Sequence, residues 1–262
     1  MRKRIEVIIP ILLGTGLYLL LYMTGLLTMW KDLTTLASKY LKMIPDILNP
    51  YTSASYEVVT SVIWDQRGFD TFFETTVLFL AIIAAVGLFD RVISQDVENH
   101  RMTLIPRLAV RVLAPVTVIV SISVAVHGHI SPGGGFQGGV VFVMAPLMFM
   151  LAFSSGFILR AGFKSDRLMV MRGFALSLIA LTGLIPLIYG YTKSVNAYLF
   201  QNLLKPDSSF TYPAWVDIGP IRILLSGSLI LYNVFEYVAV FAGFTVALYL
   251  LTKVFEEGSR SD

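Results

Sequence analysis

His127-Gly-His-Ile-Ser-Pro-Gly-Gly-Gly-Phe-Gln-Gly-Gly139 is the stretch that decides the fold, because it joins two long apolar segments through a loop rich in glycine. It contains two imidazoles, six glycines and no permanently charged side chain. Three glycines after a proline allow positive φ angles, so the chain can reverse tightly and present bare amide groups. At the depth of a bilayer, such a loop is tolerated only where protein or a water-filled cavity satisfies its backbone. The stretch therefore predicts a tight connection between two membrane helices.

The composition of the whole chain is that of an integral membrane protein. Its 262 residues are 56% hydrophobic and 14% charged, and the mean hydropathy is +0.74. So few polar groups could not cover the surface of a soluble globule. The absence of cysteine excludes disulfides and thiolate metal sites. The net charge of +3 is small, so the basic residues are better explained by membrane topology than by nucleic acid.

Six apolar runs reach the length of about 20 residues that a helix needs to cross the hydrocarbon core. The predicted spans are roughly residues 5–27, 70–90, 107–127, 136–159, 169–191 and 230–252. The predicted fold class is an all-α, polytopic membrane protein with six transmembrane helices. The first run is long and lacks a clear cleavage pattern, so it is predicted to be a retained anchor. If both termini lie in the cytoplasm, 13 of the 20 Lys and Arg residues lie on the cytoplasmic side of the membrane. The positive-inside rule favours this orientation.

Two shorter apolar patterns lie between the spans. One predicts an amphipathic helix along the membrane surface or against a partner subunit. Its apolar residues at helical spacing are Trp30, Leu33, Ala37, Tyr40, Leu41 and Ile44. The other, residues 221–231, is predicted either to lengthen the last span or to form a short helix before it.

The acidic segment Asp65-Gln-Arg-Gly-Phe-Asp-Thr-Phe-Phe-Glu74 has two interpretations. In the structural one, Thr71 and Glu74 form a capping box, or Asp70 caps the helix while Arg67 neutralises it. In the functional one, Asp70 and Glu74 lie one turn apart at the membrane boundary and exchange a proton or hold a small cation. Asp65, Arg67 and Thr71 are then supporting residues.

Three further ionisable side chains are candidates for an ion pathway. His127 and His129 end the third predicted span, and each ring either relays protons or donates to backbone carbonyls of the turn. A metal site is not expected, because no carboxylate or third histidine is close in sequence. Glu236 lies early in the last span, where a carboxylate faces protein or water unless it lies among hydrated headgroups. No cofactor is predicted.

The glycine-rich loop itself is a structural candidate. Pro132, Gly133, Gly134 and Gly135 form its turn. Gly138 and Gly139 permit close contact between the fourth span and another helix. The loop is not a phosphate loop, because no Lys-Ser/Thr ending follows and no strand precedes it.

The run from His127 to Gly139 closely resembles the signature of the B subunit of Mrp-type multisubunit cation/proton antiporters. The segment from Asp65 to Glu74 resembles a part near the C-terminal end of the large A subunit. The resemblance implies that residues 1–100 form a two-helix segment like the A-subunit tail and that residues 101–262 form a four-helix domain like the B subunit. It also implies that Asp70 and Glu74 match acidic positions of the family's cation pathway.

The layout is also similar to respiratory complexes that join an Mrp-like module to a membrane-bound hydrogenase or sulfur-reducing arm. We therefore expect a non-catalytic subunit that lines or supports a sodium and proton route between larger partner subunits. The alternative is a structural adaptor whose carboxylates only cap helices. A third class, a quinone-binding or catalytic redox subunit, would carry a bound quinone or metal.

Replacing Glu74 by Gln keeps the shape of the side chain and removes its charge. If the ion route runs along this segment, the variant complex should assemble but lose sodium-dependent transport, measured as sodium-driven pH changes in membrane vesicles. Normal transport, or a failure to assemble, would favour the adaptor.

Overall fold

The computed structural model describes residues 2–25, 33–93 and 102–258. These residues form nine α-helices, one π-helical turn and one β-hairpin. In chain order the elements are α1 (Arg2–Met23), α2 (Thr35–Met43), α3 (Val58–Ser61), the π-helical turn (Val62–Gln66), α4 (Gly68–Ile93), α5 (Leu104–Val126), α6 (Gly135–Phe153), α7 (Ser155–Arg160), α8 (Ser165–Lys193), β1 (Trp215–Ile218), β2 (Ile221–Leu224) and α9 (Leu229–Gly258). The chain divides into two compact units, Met1–Tyr40 and Leu41–Asp262.

Five helices of the described residues are long and apolar enough to cross a membrane. Their crossing segments are Gly68–Leu88, Leu104–Val126, Gly135–Phe153, Ser165–Lys193 and Leu229–Thr252. They correspond to the last five predicted spans, so the helical, multi-pass membrane fold is confirmed. The first predicted span corresponds to α1, where the described apolar helix Ile11–Met23 is shorter. The end of that span, residues 26–27, lies outside the described residues, and a sixth crossing stays a prediction.

The predicted amphipathic helix is present as α2. Its first turn is capped by Thr34, whose hydroxyl accepts a hydrogen bond from the amide of Ala37 at 3.2 Å. The described residues of α2 include no buried side chain, and Leu36 is 63% exposed. Trp30, the first residue of the predicted pattern, lies outside the described residues. Contact of this helix with a membrane surface or a partner stays a prediction.

Helix α9 is the centre of the second unit. It packs against α4, α6 and α8, while α5 packs mainly against α6. Two of these approaches depend on glycine. A Cβ atom on Gly138 would lie 2.8 Å from the Cβ of Ala125 on α5, and one on Gly139 would lie 2.7 Å from the Cβ of Val240 on α9. These distances are shorter than side chains tolerate, so the backbones approach each other directly.

Arg172 joins α8 to α9 inside the second unit. Its side chain is 1% exposed, and Nη1 donates to the carbonyl of Ala239 on α9 at 3.0 Å. The guanidinium fills the space that a side chain on Gly243 would need, and it lies 5.6 Å from the centre of the Phe79 ring. Because a charge in a membrane helix is costly unless it faces protein or water, α8 can carry Arg172 only against this face of α9.

The fourth span is shorter than predicted. Helix α6 ends at Phe153, and the separate helix α7 begins at Ser155. Between them Ser154 has a φ of 99°, which interrupts the helix at a conformational cost for a residue with a side chain. Hydropathy could not reveal this break, because the residues on both sides of it are apolar.

The expectation of additional helix in residues 221–231 is wrong. Ile221–Leu224 forms β2, which pairs antiparallel with β1 so that Asp217 lies opposite Arg222. The β-branched residues of both segments favour extended backbone. Gly219 has a φ of 60°, as the first residue of a two-residue type II′ turn requires. Apart from this hairpin, the regular secondary structure of the described residues is helical.

Gly139→Ala should destabilise the contact of α6 with α9. The added methyl group has no space, and overpacking of this kind costs about 1 to 3 kcal/mol of unfolding free energy. Gly87→Ala is the matched control, because nothing lies within 4 Å of a Cβ at that position in α4. There the better helix propensity of Ala should add up to about 1 kcal/mol. Thermal unfolding in detergent measures both, and equal midpoints would contradict the close approach.

Candidate functional site

A cavity of about 690 Å³ lies between α4, α6, α9 and the π-helical turn. Most of its wall is apolar. The carboxylate and amide side chains that line it are those of Glu74, Gln137, Asn233 and Glu236. Convergence of a few polar groups in a largely apolar cavity is typical of a binding site. We call it the Glu236 cavity.

Glu236 is the most buried carboxylate of this cavity, with 5% of the residue exposed. It lies on the second turn of α9, directly against the first residue of α6. A Cβ on Gly135 would come within 2.8 Å of the Glu236 Oε2 atom. The backbone amide of Phe136 and the side chain of Trp64 are its neighbouring polar groups. The carboxylate therefore lies at the amino-terminal end of α6, where free amides and the helix dipole favour a negative charge.

The glycine-rich loop delivers the start of α6 to this position. Gly133 and Gly134 have φ angles of 156° and 138°, which residues with side chains rarely adopt. The amide of Gly134 donates to the carbonyl of Val124 at 3.2 Å, and the amide of Gly135 donates to Oδ1 of Asn233 at 3.4 Å. Pro132 lies before them on the exposed side. The loop thus brings bare backbone against α9.

No cation balances the two carboxylates within the part of the chain that the structure describes. Glu236 and Glu74 form no ion pair with a described Lys or Arg, and Glu74 is exposed to the cavity. Among the same residues, no group of three or more His, Cys, Asp or Glu side chains could hold a metal ion. The arrangement can accept a proton or a small monovalent cation from the cavity.

A family model agrees with this architecture. The model, described as a domain related to the MnhB subunit of Na⁺/H⁺ antiporter, matches residues 105–246, which is more than half of the chain. The chain belongs to this family. The matched MnhB-related domain begins at the second residue of α5 and ends within α9, so it contains Glu236 and the glycine-rich loop. The resemblance to the B subunit that the sequence indicated is confirmed.

Two curated relatives extend the comparison. An uncharacterised protein of Methanocaldococcus jannaschii is 26% identical over 226 residues, which cover 78% of this chain and 81% of the relative. A protein of Staphylococcus saprophyticus named as antiporter subunit mnhB2 is 38% identical over 79 residues, covering 29% of this chain and 55% of that protein.

Two solved structures share the fold. The membrane-bound sulfane sulfur reductase, an archaeal respiratory membrane complex, contains a chain that matches 96% of this one and is itself covered to 98%, with 24% identity and a TM-score of 0.62. The Mrp complex of a Dietzia species contains a longer chain that matches 96% of this one and is covered to 26%, with 20% identity and a TM-score of 0.60. At these identities the likeness shows the fold alone.

The structure separates the two acidic candidates that precede the MnhB-related domain. Glu74 lines the Glu236 cavity, whereas Asp70 pairs with Arg67 at 2.8 Å in a largely exposed position. Helix α4 begins at Gly68, and the Thr71 hydroxyl donates to the carbonyl of Ile63 at 2.6 Å. The capping box of Thr71 and Glu74 and the alternative cap Asp70 are therefore wrong, because these residues lie inside the helix. The pairing of Arg67 with Asp70 that accompanied the second alternative is present.

Asp65 is buried in an ion pair of its own. Its side chain is fully buried, and Oδ2 accepts hydrogen bonds from Lys205 Nζ at 2.9 Å and from the Ser53 hydroxyl at 2.7 Å. Lys205 belongs to the long connection between α8 and β1. The pair ties this connection to the π-helical turn, which fixes the turn beside the Glu236 cavity.

The two histidines that precede the glycine-rich loop occupy different environments. His127 is exposed, and its Nδ1 lies 2.9 Å from the carbonyl of Ser123. His129 is 1% exposed, and its Nε2 lies 2.9 Å from the carbonyl of Leu224. The backbone carbonyl of His129 accepts hydrogen bonds from the amide of Tyr56 and the hydroxyl of Ser55. His129 thus joins the loop to β2 and to the segment before α3.

Sequence reasoning missed Asn233 and Trp64. Asn233 lies three residues before Glu236 and so shares its face of α9, a spacing that could have revealed it. Trp64 is fully buried and stacks on Tyr232 with ring centres 4.7 Å apart. The position of Trp64 depends on the π-helical turn, and no simple sequence pattern predicts such a turn. Turns of this kind are frequent at functional sites.

His129 should make the stability of the protein sensitive to acid. Burial lowers its pKa below the ordinary value of 6.5, chiefly through desolvation and further through His127, against an opposing contribution from the Leu224 carbonyl. Below that pH the unfolded chain binds the proton more readily than the folded one, so stability falls as the pH drops. Thermal unfolding at about pH 7.5 and about pH 5.5 brackets the transition.

His129→Gln keeps a donor for Leu224 but cannot titrate in this range. It should lose less stability between the two pH values than the wild type. His127→Gln is the comparison variant, because it removes only a smaller contribution to the lowered pKa of His129. It should therefore change the acid sensitivity less than His129→Gln does. If His129→Gln and the wild type lose the same stability between the two pH values, this explanation is wrong.

Proposed function

We propose that this chain is a non-catalytic membrane subunit of an Mrp-type cation/proton antiporter module and that the Glu236 cavity forms part of a route for sodium ions and protons. Membership of residues 105–246 in the MnhB-related family and the multi-pass fold support the subunit assignment. The partners that fit are other subunits of such a module. A reductase or hydrogenase arm fits as well, because one structural neighbour belongs to a sulfane sulfur reductase complex.

The main support for the proposed ion route is that two carboxylates line one cavity. Glu236 is nearly buried, Glu74 faces the same space, and no described cation pairs with either. Two negative charges in a poorly polar cavity repel each other, so a proton or a cation must compensate at least one of them. The cavity therefore favours occupation by the ions that an antiporter exchanges.

Neutral oxygen atoms add to this preference. The side chains of Asn233, Gln137, Thr71 and Thr75 line the same cavity. Small hard cations prefer carboxylate, amide and hydroxyl oxygens as ligands. A bound sodium ion and a bound proton would neutralise the same negative charge, so each disfavours the other. Such competition at one site is the physical requirement for exchange.

The two resembling parts of the chain would meet at this cavity. We propose that residues 1–100 serve as the A-subunit-like tail, which supplies Glu74 from α4. Residues 101–262 would serve as the B-subunit-like part, which supplies Glu236 from α9 and the amino-terminal end of α6. We also propose that both termini lie in the cytoplasm, as the distribution of Lys and Arg favours.

Glu236→Gln tests this function directly. The amide retains the volume of the side chain but cannot bind a proton or a cation with a full negative charge. The variant complex should assemble, and sodium-driven proton movement in vesicles should fall at least about tenfold, because loss of even about 1.4 kcal/mol of interaction with the ion corresponds to that factor.

Asp217→Asn is the matched control, because that carboxylate lies on the exposed hairpin away from the cavity. It should retain full transport. A Glu236→Gln complex that assembles and transports like the control would refute the conducting role and leave the adaptor. If the Glu236→Gln chain is missing from the purified complex, the carboxylate is needed for assembly. That outcome also favours the adaptor.

A further inference from the structure

A second cavity, of about 500 Å³, lies between α5, α6 and α7. Its lining is apolar and includes Pro115, Ile119, Ala145, Pro146, Phe157 and Ala161. Both prolines lie inside helices, where the missing amide removes a backbone hydrogen bond and displaces the chain. Helix α7 follows the break at Ser154, and its residues Phe157 and Ile158 contribute to the lining of this second cavity. We call it the α5–α7 cavity.

The α5–α7 cavity is open to the side. Ala145 and Ile158 form its floor and are 4% and 3% exposed, whereas Ile119 and Phe157 lie at its rim and are 69% and 37% exposed. Helices α5 and α6 are both long and apolar enough to cross a membrane, so the side of the rim that carries Ile119 faces hydrocarbon. A polar ligand would find no hydrogen-bonding partner on such a wall. A hydrocarbon chain fits it.

Several basic side chains lie on or next to the segment around α7 that lines the cavity. Arg160 and Lys164 flank its lining residues Ala161 and Phe163 in sequence, and both are exposed. The guanidinium of Arg111 lies 5.5 Å from the centre of the Phe153 ring, which in turn stacks 5.0 Å from Phe157. Nη1 of Arg167 lies 3.6 Å from the position of a Cβ on Gly162. Between residues 104 and 168, the sole acidic side chain is that of Asp166.

We propose that the α5–α7 cavity binds one acyl chain of a membrane lipid whose anionic phosphate headgroup lies against Arg160, Lys164 and their basic neighbours. The acyl chain alone gives little selectivity, because the bilayer interior is as apolar as the cavity. The headgroup supplies the preference, since Lys and Arg at the membrane surface attract anionic lipids and form charge-assisted hydrogen bonds with phosphate. The site is independent of the ion route, because none of its residues lines the Glu236 cavity.

The lipid that stays with the purified complex tests this site. The complex is exchanged into nanodiscs with equal amounts of phosphatidylglycerol and phosphatidylcholine, released into mild detergent, and its bound lipid is measured by mass spectrometry. Arg160→Gln with Lys164→Gln should lower the ratio of anionic to zwitterionic lipid about fivefold per removed charge. Lys193→Gln, at the opposite end of α8, is the charge control and should leave the ratio unchanged. An unchanged ratio in the double variant would overturn the proposal.

Two substitutions of Ala161 test whether an acyl chain occupies the α5–α7 cavity. Ala161 is an exposed lining residue, so Ala161→Phe fills the cavity without entering the helical core and should reduce the bound lipid. Ala109→Phe, at an exposed position of α5 outside the lining, is its control. Because the chain contains no cysteine, Ala161→Cys can carry a single photoreactive probe. Crosslinking to phosphatidylglycerol supports the site, whereas crosslinking to a polypeptide of the complex, or bound lipid unaffected by Ala161→Phe, overturns it.

Discussion

The direct approach of α6 to α9 is the constraint on which the rest of the structure depends. Gly135 faces Glu236 and Gly139 faces Val240, so the contacts recur every four residues on both helices. This is the interval at which residues lie above one another on one helical face. A side chain at either glycine would separate the helices and move the amides of α6 away from the Glu236 carboxylate. The same contact therefore holds the bundle together and creates the environment of the buried Glu236 carboxylate.

The polar lining of the Glu236 cavity comes from three different helices. Its carboxylates come from α4 and α9, while the helix end that favours negative charge comes from α6. None of these elements alone would bring these polar groups together, and an isolated carboxylate in hydrocarbon is costly to keep charged. Asp65 and Lys205 anchor the π-helical turn at the edge of this space. Packing of ordinary apolar helices thus brings a small set of polar atoms to one place.

Much of this arrangement could be predicted from the sequence because membranes impose simple rules. The length of apolar runs located five crossing helices, and helical spacing located α2. The glycine-rich loop and Glu236 stood out because each is expensive in a membrane. Spacing alone could not identify which helices Gly138 and Gly139 contact, since that depends on the tertiary fold. It also grouped Asp70 with Glu74, although Asp70 pairs with Arg67 away from the cavity.

The elements that were not predicted have little signature in hydropathy. The break at Ser154 lies between two apolar helices. The strand that begins at Ile221 is apolar too, so hydropathy does not distinguish it from a helix. Trp64 and Asn233 are ordinary residues in isolation. Their importance comes from the π-helical turn and from their neighbours on α9, which only the folded chain defines.

The packing of Arg172 against α9 has a consequence for how the protein folds in the membrane during synthesis. Helix α8 leaves the ribosome before α9, and on its own it carries an unpaired guanidinium in its first third, which must reach toward the membrane surface to stay hydrated. The carbonyl of Ala239 and the gap at Gly243 become available only with the last helix. The buried position of Arg172 can therefore form only after the last helix has joined the bundle.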